Sequence, residues 1–217
     1  LKKLKRQDDM ARRARFYVEV ASLRILDHPR VAQLADSNAD EYQGDDELFL
    51  ITERISGDDL ESLVNSRRVE LLEALAIVDK VLETLEFCHL RKVLHRDLKP
   101  CHIITRDGNF YDPVLIDFGL AFSEGIERQA DCTRASEGVG NRFIVLPEQL
   151  GEGEDKRDFR SDITQCVGIL FFLLTGEIPG IIRDSQGKKP HERYRMPEFV
   201  GHASHYISRT LNRNFDI

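Results

Sequence analysis

No two cysteines in this chain are spaced as C-x-x-C. The four that occur, Cys88, Cys101, Cys132 and Cys166, fit no zinc-binding spacing. Free thiols are the simpler reading, and they point to a reducing compartment, the cytoplasm. Long apolar runs are missing as well. The longest covers residues 166–174, far short of the about 20 residues that span a bilayer. Neither a signal peptide nor an internal repeat nor a low-complexity stretch is visible. No basic run dominates: 31 Lys and Arg stand against 38 Asp and Glu, for a net charge of −7. That balance argues against nucleic acid as the main partner, although an acidic surface can still meet a basic protein.

What is present is enough for one large or two small domains, at 217 residues. With 41% hydrophobic and 32% charged residues, the chain can bury a core and is not a disordered polymer. It begins with Leu1 rather than Met, so it is expected to be a fragment.

The chain is organised around residues 95–119. Asp97 is followed two places on by Lys99, a base with a cation beside it. Asp117 follows Val114-Leu115-Ile116, so it leaves the end of a buried strand into a loop that could hold a hard cation. A base, a cation and a metal-binding carboxylate are what phosphoryl transfer needs, because that chemistry is mostly positioning and neutralisation of phosphate charge. His95-Arg96-Asp97 with Lys99-Pro100 resembles the catalytic loop of eukaryotic-type protein kinases, and Asp117-Phe118-Gly119 resembles their metal-binding triplet. The two together, in this order and spacing, are far more specific than either alone.

Along the chain, residues 1–4 read as a stub of strand, followed by a charged run to Arg15. Phe16, Val20, Leu23 and Leu26 share one helical face, which predicts a helix over 16–26 that ends before His28-Pro29. Strands are expected at 31–34 and 48–55, with a polar turn over 36–46 between them. The pattern breaks at Ser56-Gly57-Asp58-Asp59. A short helix starts at Leu60, and Leu71, Leu75, Val78, Leu82 and Leu85 form the apolar stripe of a helix over 70–91. Short strands are expected at 103–104 and 114–116, an irregular segment at 120–145, a buried helix at 162–176 ended by Gly176, and a last helix at about 200–212. This order is an α+β arrangement in two lobes, a small antiparallel-sheet lobe over 1–55 and a mostly helical lobe over 56–217. The kinase resemblance agrees with it. By that resemblance the chain starts inside the third strand of the small lobe. The glycine-rich loop would then lie before Leu1, and the supporting C-terminal arginine after Ile217.

The resemblance assigns expected roles residue by residue. Lys2, preferred to Lys3 because of the apolar residue before it, would hold the α- and β-phosphates of ATP. Glu19 would pair with it from a helix, an ion pair that sets geometry more than it adds stability. Thr52 would be the gatekeeper, the backbones of Glu53 and Ile55 would meet adenine, and Ile104 would pack beneath the ring. Asp97 would accept the proton of a substrate hydroxyl, Lys99 would neutralise the γ-phosphate, and Asp117 would chelate Mg²⁺. Leu23, Leu34, His95 and Phe118 would stack as a spine with Asp162 at its base, and Pro147-Glu148 would stand in the family's A-P-E segment. The Lys99-Pro100 pair implies a serine/threonine kinase acting on protein hydroxyls. Arg96 would bind an activation loop phosphorylated at Thr133 or Ser136.

Two positions depart from the family pattern. Counting H-R-D-x-x-x-x-N from Asp97 puts His102 where asparagine gives an oxygen to the second Mg²⁺. Mg²⁺ takes imidazole reluctantly, so binding there should weaken or shift toward Mn²⁺, while a neutral His102 could hydrogen-bond the loop backbone. Asn141 replaces the usual threonine, a milder change because Asn also donates and accepts. These departures leave a rival reading open: a pseudokinase that binds nucleotide or partners without transferring phosphate. Small-molecule phosphotransferases of similar fold rank below both.

Overall fold

The first helix starts well before the apolar period predicts. In the computed structural model, which describes residues 1–119, 121, 126 and 159–179, α1 runs Met10–Ile25. It takes in half of the charged run that reads as irregular. The Asp9 carboxylate caps it by accepting the Arg12 N–H at 3.1 Å. Arginine is a good helix former, so the run lacks apolar period but not helix propensity. The expected face is the buried one: Phe16, Val20, Leu23 and Leu26 all lie in the interior.

Three antiparallel strands form the small sheet. They are β1 (Lys2–Lys3), β2 (Leu34–Ser37) and β3 (Phe49–Thr52), in the order β1-β3-β2. The second strand lies three residues later than the sequence predicts. Val31 is buried and forms an isolated parallel bridge to Leu115 rather than part of a named strand, while the polar residues of β2 pair with β3 through a shift in register between Leu34 and Asp36. A strand at the sheet edge can keep polar side chains outward, which is why its pattern reads as a turn. The expected turn over 36–46 is therefore part strand, part short 3-10 turn at Ala39–Glu41.

Beyond residue 56 helices dominate. α2 (Leu60–Ser66) is capped by Asp59, which accepts the Ser62 N–H at 2.7 Å. α3 (Leu71–Leu90) is closed at its start by Glu73, whose carboxylate accepts the Glu70 N–H at 2.9 Å. The predicted stripe is only half right. Leu75 and Leu82 are 40% and 37% exposed, and the inward face is instead Ala74, Ile77, Val78, Val81, Leu85 and Cys88. That face meets α4 (Arg160–Thr175), with Cys166, Ile169, Phe172 and Leu173 in the same core cluster. Each such side chain contributes roughly 1.5–3 kcal/mol when fully buried. Gly176, at φ +74°, ends α4 in the left-handed conformation.

A two-stranded antiparallel ribbon completes the scaffold: β4 (Ile103–Thr105) against β5 (Pro113–Leu115). It brackets the segments that carry Asp97 and Asp117. A small sheet with one helix, followed by a mainly helical part, is the two-lobed α+β fold expected from the sequence. Among the described residues no helix is long and apolar enough to cross a membrane. The expected irregular segment and last helix, together with Cys132, Thr133, Ser136, Asn141 and Pro147-Glu148, lie outside the described residues.

Candidate active site

The loop after α3 is held from below by α4. The buried Asp162 carboxylate accepts the N–H groups of His95 at 2.9 Å and Arg96 at 2.7 Å, and takes a further hydrogen bond from His89 Nε2 at 2.8 Å. Gln165 Oε1 accepts the Leu98 N–H at 2.9 Å, and its Nε2 donates to the Arg96 carbonyl at 3.2 Å. These bonds hold Arg96 at φ +65°, a conformation that costs a non-glycine residue about 1–3 kcal/mol. Asp162 is the anchor expected from the sequence. Gln165 is a missed one. Its only signal is its place three residues after Asp162, on the same helix face.

The clamped loop presents Asp97 and Lys99. Lys99 Nζ donates to Asp97 Oδ2 at 3.1 Å, with the Lys99 side chain about one-third exposed and Asp97 buried. Five residues on, His102 folds back and donates from Nδ1 to the Asp97 carbonyl oxygen at 3.0 Å. Its Nε2 lies 3.6 Å from Asp117 Oδ2 and its Nδ1 3.6 Å from Asp97 Oδ2, so the imidazole stands between the two carboxylates without hydrogen-bonding either. Burial, together with the nearby His95, pushes the His102 pKa down to about 4, against the pull of Asp117 and Asp97. The ring is neutral near pH 7.

Asp117 turns out of the ribbon at φ +59° and faces the small sheet. Its Oδ1 accepts from Lys2 Nζ at 2.8 Å and from the Gly119 N–H at 3.1 Å. Lys2 also donates to Glu19 Oε1 at 2.7 Å, so a single ammonium joins β1, α1 and the 117–119 turn. A Cβ on Gly119 would lie 2.9 Å from Asp117 Oδ1 and 3.2 Å from Lys2 Nζ, so this cluster needs glycine there. Burial alone would lower the Lys2 pKa, but Glu19 and Asp117 outweigh it and raise it. Burial would raise that of Asp117, but Lys2 wins and holds it at about 2. For the deeply buried Glu19 burial wins, and its pKa is raised despite Lys2. Lys3, the alternative to Lys2, pairs instead with exposed Glu47 at 2.9 Å.

The remaining expected residues fall around this cluster. Ile104 and Ile55 pack with Ala32 and Val114 in one apolar patch beside β4 and β5. The Glu53 backbone N–H donates to the Gln33 carbonyl at 2.8 Å, and its carboxylate accepts the Gln33 N–H at 3.0 Å. Thr52 closes β3 just before it. Leu23 and Phe118 lie in the main core cluster with the partly buried Leu34 packed against it, and the buried His95 ring lies 4.6 Å from the Phe118 ring, centroid to centroid. Arg13 is a second residue that sequence reasoning missed. It reads as one more surface cation, yet it is 1% exposed and donates to the carbonyls of Gln7, Glu41, Tyr42 and Asp46.

Two ammonium groups, Lys2 and Lys99, and three carboxylates, Glu19, Asp97 and Asp117, thus lie around His102, near an apolar patch of Ala32, Ile55, Ile104 and Val114. Such a site can bind polyphosphate and take a proton from a hydroxyl. Asp117 Oδ2 and His102 Nε2 could hold a divalent cation together with phosphate oxygens and water. No group of three His, Cys, Asp or Glu side chains among the described residues could hold a metal by itself.

A family model described as the protein kinase domain matches residues 1–211. The chain is 32% identical over 209 residues to CBL-interacting protein kinase 4 of Oryza sativa subsp. japonica, covering 91% of this chain and 43% of that protein. It is 30% identical over 169 residues to CBL-interacting serine/threonine-protein kinase 15 of Arabidopsis thaliana, covering 77% of this chain and 37% of that protein. The chain therefore spans less than half the length of these relatives.

Proposed function

Because the chain belongs to the protein kinase domain family, we propose that it transfers the γ-phosphoryl group of ATP to serine or threonine hydroxyls of a protein. The observation that carries this is the cluster itself: Lys2 within 2.8 Å of both Glu19 and Asp117, and Lys99 at 3.1 Å from Asp97, on either side of His102. Serine/threonine kinases among the relatives by name support the choice of hydroxyl. They lend no support to the rival reading of a binding module without transfer.

In this reading Asp97 accepts the proton of the attacking hydroxyl. Lys99 sits against its carboxylate and neutralises charge on the γ-phosphoryl oxygens as they develop it. Lys2, aimed by Glu19, holds the α- and β-phosphates. The patch of Ile55 and Ile104 takes the faces of adenine, and the backbones of Glu53 and Ile55 take its edge. Asp117 and His102 would hold a divalent cation, Mg²⁺ or Mn²⁺, which would neutralise phosphate charge. A small lobe over 1–55 would then supply Lys2 and Glu19, and a large lobe over 56–217 would supply Asp97, Lys99 and Asp117. Arg96 receives the phosphate of an activation loop modified at Thr133 or Ser136. The half-buried and buried free thiols of Cys101, Cys88 and Cys166 suit the reducing cytoplasm.

The test is incubation with labelled ATP and a Ser/Thr-containing protein such as casein or histone, beside the Asp97→Asn variant. Transfer by the parent and its loss in the variant is the expected result. Thermal stabilisation by ATP with no transfer to any hydroxyl would overturn the enzyme reading.

A further inference from the structure

His102 is fixed in one tautomer by what it touches. The Asp97 carbonyl can only accept, so Nδ1 carries the ring proton across the 3.0 Å contact. The other tautomer would set a lone pair against that carbonyl. It would also aim an N–H at Asp117 Oδ2 across 3.6 Å, too far for a hydrogen bond. With its proton on Nδ1, the ring presents the Nε2 lone pair toward a carboxylate oxygen. Asp117 Oδ1 is already taken by Lys2 and the Gly119 N–H, which leaves Oδ2 turned toward the imidazole. Two electron-pair donors that face each other at this distance are suited to share a cation.

The separation suits one. Two ligands each about 2.1 Å from one cation lie roughly 3.0–3.4 Å apart at octahedral to tetrahedral angles. The observed 3.6 Å is within a few tenths of that. Mg²⁺ prefers an all-oxygen shell, whereas first-row transition cations accept imidazole, with affinity rising from Mn²⁺ onward.

We infer that Asp117 and His102 form a mixed oxygen and nitrogen site that selects a first-row transition cation over Mg²⁺ as the partner of the bound nucleotide. This rests on the kinase reading and gives its metal site a preference. The backbone bond to Asp97 is part of the device, since it orients the ring and fixes which nitrogen binds.

The experiment is electron spin-echo spectroscopy of Mn²⁺ bound to the full chain with the β,γ-methylene analogue of ATP, in protein carrying ¹⁵N only in histidine. The expected result is a ¹⁵N coupling in the parent that vanishes in His102→Asn. Competition between Mn²⁺ and Mg²⁺ should show the variant losing roughly ten- to hundredfold of the Mn²⁺ preference, no less than the loss of an outer-shell partner would cost. Mn²⁺ and nucleotide bound without ¹⁵N coupling would overturn the inference and leave the kinase reading standing. So would a coupling that persists in His102→Asn. Failure of Mn²⁺ and nucleotide to bind either protein would overturn both.

Discussion

Replacing Arg13 by leucine removes a guanidinium that fixes the start of α1. The side chain donates at 2.7 Å to the Tyr42 carbonyl, 2.9 Å to Asp46, 3.0 Å to Glu41 and 3.1 Å to Gln7, with a weaker bond to Gln7 Oε1 at 3.4 Å. A hydrogen bond from a charged donor contributes about 1.5–3 kcal/mol, so the four good bonds are worth at least about 6 kcal/mol. Two effects offset part of this. Glu41 and Asp46 are exposed, so water can reach their carbonyls once the arginine is gone. A buried leucine also returns about 1.5–3 kcal/mol. The net loss works out at about 3 kcal/mol, in the range that marks a broken buried network. Urea unfolding followed by far-ultraviolet circular dichroism measures it. Arg13→Lys should fall between the two, since an ammonium cannot reach carbonyls that diverge this widely. Glu19 sits on the same helix, so Arg13→Leu should also weaken ATP binding through the Lys2–Glu19 pair. A loss of stability under about 1 kcal/mol would refute the claim that this hydrogen-bonded anchor, rather than apolar packing, fixes the helix.

Gly119→Ala should lower ATP affinity about tenfold in titration calorimetry, because its Cβ would stand 2.9 Å from Asp117 Oδ1 and part it from Lys2; unchanged affinity would count against that crowding. Burial pushes the thiols of Cys88 and Cys166 up to about 12, and raises that of half-buried Cys101 as well. At pH 8 iodoacetamide should therefore modify Cys101 first and reach the other two only on unfolding, an order that mass spectrometry can read; equal rates at all three sites would contradict it. Phosphorylation at Thr133 or Ser136 should raise transfer several-fold, and a double alanine variant as active as the phosphorylated parent would end that idea.

How much of this was legible in the sequence depended on what each residue has to do. Asp97, Lys99, Asp117, Lys2 and Glu19 could be picked out as candidates because they stand at positions that resemble kinase motifs, and the structure pairs Lys99 with Asp97 and Lys2 with both Glu19 and Asp117. The fold class followed from the same stretch and from the spacing of apolar residues. α3 shows the limit of spacing. Its sequence holds two overlapping apolar stripes, one through Leu75 and Leu82 and one through Ala74, Ile77 and Val81, with Val78 and Leu85 common to both. The larger leucines favour the first by eye. The second is buried because its small and β-branched residues let α4 approach closely, a fact about the partner helix that α3 alone does not carry. β2 failed for a related reason, since an edge strand has no need of apolar residues on both faces.

Arg13 and Gln165 were invisible for a deeper reason. Arg13 bonds mostly to backbone carbonyls, and Gln165 bonds to the backbone of the 96–98 loop. Every residue has a carbonyl, so no pattern of residue types announces such an acceptor. The same holds for His102, where the substitution itself was legible and its consequence was not. The sequence raises the question of how imidazole can stand in for an amide. What the sequence does not show is the Asp97 carbonyl, which accepts a hydrogen bond from Nδ1–H and so leaves Nε2 turned toward Asp117. Backbone groups thus decide what His102 and Gln165 do at the site and how Arg13 anchors α1, which makes the path of the chain through residues 95–98 part of the site's geometry.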